Sequence, residues 1–314
     1  IILDAPPLLI THHGVEVFDG WQAPLAAWLS PRADRTLVQS RAMARRLRLP
    51  AVVTVHLPVA QYHGVRTTLR ARLGRWIYTT LDRYLNHSHP APLLYVSQAV
   101  RDACVAAGHS PAARSLVIPN GIELELYAGE GDPRNLRAQA GVLEGEKVII
   151  CCGRLHPQKG VDVLLQALAQ PGMPQHALRL WLVGDGSQRD ELEQQALRLG
   201  LGERVRFWGY QAQVADYLRA ADVFALPSRW EAMPFALLEA LAAGLPCVVT
   251  AVGDNALLAR DSLEGLVIPP EDPAALADAL RRLVTDDALR ARMALSARQR
   301  AGAFSQDEMA RRIE

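Results

Sequence analysis

The sequence predicts an α/β protein built on parallel sheets, and three observations carry that expectation. Short β-branched runs alternate with amphipathic helical patterns from Lys147 onward, the same alternation continues more sparsely before it, and 314 residues exceed what one core of roughly 150 residues would fill. Two α/β units in tandem are therefore expected. Half of the residues are apolar, 21% are charged and the net charge is +1, which excludes a disordered chain or a fibrous repeat. The longest apolar runs, such as Val148 to Cys152, fall well short of the ~18 residues of a membrane span.

In the second half, strands are expected at Val148 to Cys152, Leu178 to Val183, Val205 to Trp208, Asp222 to Leu226, Pro246 to Thr250 and Gly265 to Ile268. Between and after them, Val161 to Ala169, Gln188 to Leu199, Val214 to Ala220, Phe235 to Ala243, Pro273 to Leu283 and Asp287 to Arg298 repeat apolar residues at three- and four-residue steps, the period of a helix with one buried face. Gly200, Gly202 and Gly244 stand where helices end. The first half offers Leu8 to His12, Thr36 to Gln39, Ala51 to His56, Leu93 to Ser97 and Ser115 to Pro119 as strands. Acidic, Gly-bearing residues 123–146 read as the linker, giving domains 1–135 and 136–302 with a tail at 303–314. Two such sheets facing one another across a cleft would bind ligand at the C-terminal ends of their strands.

Charge divides unevenly: residues 1–140 carry 15 Arg against 10 acids, and 141–314 carry 19 basic residues against 23 acids. The first half thus suits an anionic surface, while the balanced whole argues against nucleic acid. Cys104, Cys151, Cys152 and Cys247 lack metal-site spacing and read as buried thiols of a reducing cytoplasm. Residues 66–84 place Leu69, Leu73, Trp76 and Ile77 on one helical face with Arg66, Arg70 and Arg72 elsewhere. That pattern fits an ordinary domain helix first, and second a basic helix resting on an anionic membrane.

Two segments carry chemistry. In Gly153 to Gly160 a buried strand ends in Gly153 and a loop delivers Arg154 and Lys159, a forked cation and a point charge suited to two phosphates of one leaving group. Taken singly, each also fits a solvated loop. In Leu226 to Pro246 a strand stops at Pro227, a loop is expected to expose Glu231, and Pro234 opens a helix that contains Glu239. The free N–H groups and positive dipole end of that helix could cradle a diphosphate.

These residues resemble those of family 4 retaining glycosyltransferases with the GT-B fold. Glu231 and Glu239 match its E-x7-E signature, Gly153 to Gly160 its G-R-L-x-x-x-K-G element, Pro119 to Ile122 its P-N-G-I, and Leu182 to Gly186 its L-V-G-D-G turn. The resemblance implies two Rossmann-like domains and transfer of a sugar, with retention, from a nucleotide-diphosphate sugar to a glycan or lipid-linked acceptor. It assigns the donor diphosphate to Arg154, Lys159 and the backbone of Met233, Pro234 and Phe235, the ribose to Glu239, and the transferred sugar to Glu231. His56, ending V-T-V-H, matches the histidine near the reacting sugar, and a solvent-facing strand-end histidine is its plainer reading. Gly153, Ser97 and Asn120 match donor- or acceptor-side loop positions and read as loop-shaping first.

No metal or other cofactor is expected. The cations and helix N–H groups oppose the charge that develops on the leaving diphosphate, and no Asp-x-Asp follows a strand, Asp286-Asp287 reading as a helix start. Members of the family begin with a strand and glycine-rich loop, and this chain enters after them at Ile1. The N-terminal domain therefore reads as incomplete, and residues 304–314 read as the start of the last, crossover helix. A truncated or non-catalytic nucleotide-binding homologue is the alternative. A nicotinamide site is disfavoured because Gly184-Asp185-Gly186 lacks the third glycine of its fingerprint. A cytoplasmic enzyme, in peripheral contact with the inner membrane face, is the expected setting.

Overall fold

The computed structural model describes residues 92–129, 133–174 and 177–313, with the short pieces 10–12, 53–55, 80, 83–84 and 86–88. They divide into two units, one made of the described residues up to Asn120 together with those from Met309, the other of Gly121 to Glu308. In the first unit β1 (Ile10–His12), β2 (Val53–Val55), β3 (Leu93–Tyr95) and β4 (Ser115–Val117) form a parallel sheet in that order. Leu93, Leu94 and Tyr95 are buried along β3, as a sheet covered on both faces requires. Ser97 then caps helix Gln98–Ala106, its Oγ accepting from Val100 N at 3.2 Å. The expected strand Thr36 to Gln39 and most of 66–84 lie outside the described residues, as does His56.

The second unit holds β5 (Lys147–Cys152), β6 (Leu178–Val183), β7 (Val205–Gly209), β8 (Val223–Leu226), β9 (Cys247–Thr250) and β10 (Gly265–Ile268). They are parallel, in the order β10-β9-β8-β5-β6-β7. This is the doubly wound Rossmann order, with its reversal between β5 and β8. Every expected strand and helix of this half is present, with ends shifted by a residue or so, except that helix Pro273–Thr285 and helix Asp287–Ala301 run on past their expected ends. The continuous apolar run of β5 is buried from Val148 to Cys152, between helices on both faces. Asp286 Oδ1 accepts from Leu289 N at 2.8 Å and so caps the helix that follows, the part expected of it.

The segment 123–146 is not a free linker. It forms helices Glu125–Ala128 and Pro133–Gln139, and Arg137 donates to the carbonyl of Ala220 and the carboxylate of Asp222 at 2.9 Å each. Those bonds tie it to the second unit, so the division falls at Asn120 rather than at the expected 135/136. Further on, Ile122 N donates to Phe304 O and Gln306 N to Ile122 O, anchoring the tail before helix Gln306–Ile313.

Glu264, 1% exposed just ahead of β10, makes a test of the fold's acid limit. Burial works to raise its carboxyl, but Arg260, through its side chain, its backbone N–H at 2.9 Å and its charge, outweighs that and holds the group below its ordinary range. A depressed carboxyl stabilises above its unfolded value of about 4.3, and the contribution is lost as pH falls through the lower folded value. The melting temperature of the protein is thus expected to drop below pH ~4.3. Glu264→Gln should melt lower at pH 7 and show a flatter profile in that acid window. Parallel profiles would overturn this role.

Candidate active site

Topology places the site. At the reversal between β5 and β8 the following loops diverge to opposite faces, leaving a crevice at the C-terminal strand ends. The loop after β5 begins with Gly153, whose N–H donates to Val183 O at 2.9 Å, and ends in a tight turn, Pro157–Lys159, capped by His156 Nδ1. Gly160 closes it at φ 62°, and a Cβ there would lie 2.1 Å from the carbonyl oxygen of Pro227, so glycine alone lets the loops after β5 and β8 touch.

The loop after β8 runs from Pro227 to Pro234 and opens helix Phe235–Ala242, whose N-cap position, Pro234, supplies no side-chain cap. Lys159 Nζ lies 2.5 Å from Glu231 Oε1, with side-chain exposures of 15% and 6%. Ser228 Oγ donates to the same oxygen at 2.7 Å, and Thr250 Oγ1, from the end of β9, donates to Ser228 O at 2.6 Å. Glu231 was expected on an exposed loop and is instead buried, because the loop folds inward to meet Lys159 and Ser228. The loop after β9 closes behind it: Asp254 N donates to Ala232 O at 3.0 Å, and a Cβ on Gly253, at φ 53°, would lie 2.3 Å from Glu231 O.

Five of the other expected residues occupy the same sheet end. Arg154 is exposed on the first loop, while Glu239 and Phe235 are half-buried on the helix. Met233 and Pro234 are buried just ahead of them. Ser97 and Asn120 are buried in the first unit, Ser97 as the helix cap described above. Burial pushes the Cys151 thiol up to about 12, the Glu231 charge adding to it against the pull of Lys159. It therefore stays protonated and serves as core.

Arg229 went unnoticed in the sequence. Its backbone N–H donates to Gln158 O at 2.8 Å, and its guanidinium bonds Pro157 O at 2.6 Å, both Asp162 oxygens at 2.8 and 2.7 Å, and the carboxylate of Glu271. Gln158 Nε2 returns a bond to Trp230 O at 3.0 Å. The hydrogen bonds to Asp162, outweighing the cost of burial, and those to Glu271 hold Arg229 above even its ordinary value. The two loops are thereby laced into one frame carrying Lys159 and Glu231. Arg229→Ala is expected to lower stability by about 2 kcal/mol and to cut turnover, with Arg229→Lys recovering stability only in part. Thermal melts and kcat for both variants check this, and wild-type values in Arg229→Ala would refute the clamp. A lone loop arginine carries no sequence signal; Ser228, three residues before Glu231, could have been found by its spacing.

The sequence profile described as "Glycosyl transferases group 1" matches residues 132–300, more than half of the chain. The chain belongs to the group 1 glycosyltransferase family. A second profile, "Glycosyltransferase Family 4", matches residues 42–126. Among curated relatives, the D-inositol 3-phosphate glycosyltransferase of Geodermatophilus obscurus is 36% identical over 203 residues, 61% of this chain and 44% of that protein. The UDP-Gal:alpha-D-GlcNAc-diphosphoundecaprenol alpha-1,3-galactosyltransferase of Escherichia coli is 29% identical over 261 residues, 81% of this chain and 65% of that one. The crystal structure of Anabaena HepE with UDP-glucose superposes with a TM-score of 0.72 at 29% identity, over 90% of this chain and 75% of HepE. The chain spans about half the length of the first curated relatives it matches. Its fold class is the expected one, an α/β protein with parallel sheets whose structural neighbours are GT-B glycosyltransferases. Among the described residues no helix is long and apolar enough to cross a membrane.

Proposed function

We propose that this chain carries the donor site of a retaining, metal-independent glycosyltransferase that moves a sugar from a nucleotide-diphosphate sugar to a glycan or lipid-linked acceptor. The observation that carries the reading is the Lys159–Glu231 pair, a buried carboxylate on a half-buried ammonium, at the β5/β8 reversal, where two laced loops and a helix N-terminus meet. A buried ion pair is costly to desolvate and weak as a source of stability, so its retention at a ligand-binding sheet end favours a functional role. In this reading Lys159 and Arg154 take the diphosphate, the Met233, Pro234 and Phe235 backbone adds N–H donors, Glu239 takes the ribose and Glu231 the transferred sugar. Gly153 lets the first loop approach the phosphates.

Breaking the bond from the anomeric carbon to the phosphate oxygen leaves negative charge on the diphosphate. Cations and amides already aimed at it favour that state over the ground state, the part a metal would otherwise play. The family resemblance offers His56 as the group near the reacting sugar, and Ser97 and Asn120 as residues that shape loops of the first unit. Because the Escherichia coli relative is named for UDP-Gal and HepE was crystallised with UDP-glucose, UDP is the expected nucleotide. The diphosphoundecaprenol in the name of the Escherichia coli relative supports work beside a membrane, which in this reading is done from the cytoplasm.

Calorimetric titration of UDP, GDP and ADP, with and without EDTA, into the protein and into Arg154→Ala/Lys159→Ala tests the site. UDP binding that survives EDTA and vanishes in the variant supports the reading, and product formation from a UDP-sugar separates an enzyme from a nucleotide-binding homologue. Binding that needs a metal, or that the variant retains, would overturn it.

A further inference from the structure

A cavity of about 350 Å3 opens at the N-terminal ends of β6 and β7, the edge of the second sheet opposite to the end that carries Lys159 and Glu231. Arg179, Arg204 and Arg206 line it, with Trp181, Glu203 and Phe207. The parallel register sets Arg206 beside Trp181, and the two-residue strand period brings Arg206 and Trp208 to one face, where the Arg206 guanidinium lies 4.3 Å over the Trp208 ring. Two of the three cations are accounted for. Arg179 binds both Glu146 oxygens, at 2.9 and 3.1 Å, and donates to Glu203 O, while Arg206 is stacked on the indole.

Arg204 is different. It is half-buried, its Nη1 is buried with no acceptor, and among the described residues no carboxylate pairs with it, that of neighbouring Glu203 included. Burial, followed by the Arg179 charge, pulls its pKa down, as befits a guanidinium short of a counter-charge. A half-buried guanidinium with no carboxylate partner, lining a cavity together with two further arginines, is suited to an anion brought from outside.

We propose that this cavity is a second ligand site, distinct from the donor site, in which Arg204 and Arg206 hold a phosphate group. A guanidinium fork matches phosphate oxygens in pairs, and a cavity of this size leaves room for the alcohol or sugar to which the phosphate is esterified. The phosphate could belong to a soluble ester or to a lipid headgroup reaching this edge.

The test is calorimetry of the full chain with inorganic phosphate, comparing wild type, Arg204→Gln, Arg206→Gln and the donor-site variant Lys159→Ala. Saturable binding is expected in wild type and in Lys159→Ala, weakened about tenfold or more in Arg204→Gln and less in Arg206→Gln. UDP affinity should match wild type in both cavity variants. Arg204→Gln removes a cation without a partner, so its melting temperature should equal or exceed that of wild type, and phosphate should raise the melting temperature of wild type and of Lys159→Ala but that of Arg204→Gln little or not at all. Glucose 1-phosphate and vesicles of phosphatidylglycerol against phosphatidylcholine then separate the sources: binding of the first that requires Arg204 assigns a soluble ester, and of the second a headgroup. No phosphate binding in wild type at millimolar concentration, or binding lost in Lys159→Ala and kept in both cavity variants, would overturn the site.

Discussion

Glu231→Gln is expected to reduce sugar transfer by roughly 10^3-fold or more while UDP affinity stays within a few-fold of wild type. The amide keeps the shape and can still accept from Ser228 Oγ, so the loop retains its position. What disappears is the negative charge at the place assigned to the transferred sugar. Affinity is expected to hold or even rise. In the free protein Glu231 engages Lys159 at 2.5 Å, and a diphosphate must compete with it for the same ammonium. Loss of the carboxylate removes that competitor, at a stability cost of about 1–3 kcal/mol for a half-buried ammonium left with a weaker partner. Single-turnover transfer and UDP calorimetry on the same preparation decide the matter. Unchanged turnover would sink the role of Glu231, and a tenfold weaker UDP affinity would make it a binding residue instead.

Lys159→Ala should act the other way, weakening UDP about 10- to 100-fold, the range set by hydrogen bonds to a charged group. It also strands Glu231, 5% exposed, without its cation, so the protein should melt lower at pH 7. Adding Glu231→Gln to Lys159→Ala removes the stranded charge. The pair should therefore regain part of the lost melting temperature without regaining any UDP affinity. That split separates a structural ion pair from a phosphate ligand. If affinity returned together with stability, Lys159 would act only by holding the loop.

The second unit was legible for a physical reason. A parallel strand covered on both faces must be apolar throughout, and a helix that covers it must be apolar along one stripe, so periods of two kinds mark the elements directly. Val148 to Cys152 and Phe235 to Ala243 are clear cases. The places of Lys159 and Glu231 were legible because a loop between such elements has to emerge at the ligand end of the sheet, and that of Glu239 because it falls in the helix that the second loop opens. The linker misled because its acids and glycines resemble a loop, whereas Arg137 fastens it to Ala220 and Asp222, far along the chain.

By itself the sequence determined the α/β class, the order of strands and helices around the two loops of the candidate site, and which charged residues those loops carry. Local periodicity and turn chemistry are enough for that. Only the tertiary structure decided that Glu231 is buried against Lys159, that Arg229 laces two loops separated by some seventy residues, and that Arg204 faces a cavity without a counter-charge. Each depends on which distant segments meet, and nothing in the spacing of residues along one segment records the charge that another will bring to it or withhold from it.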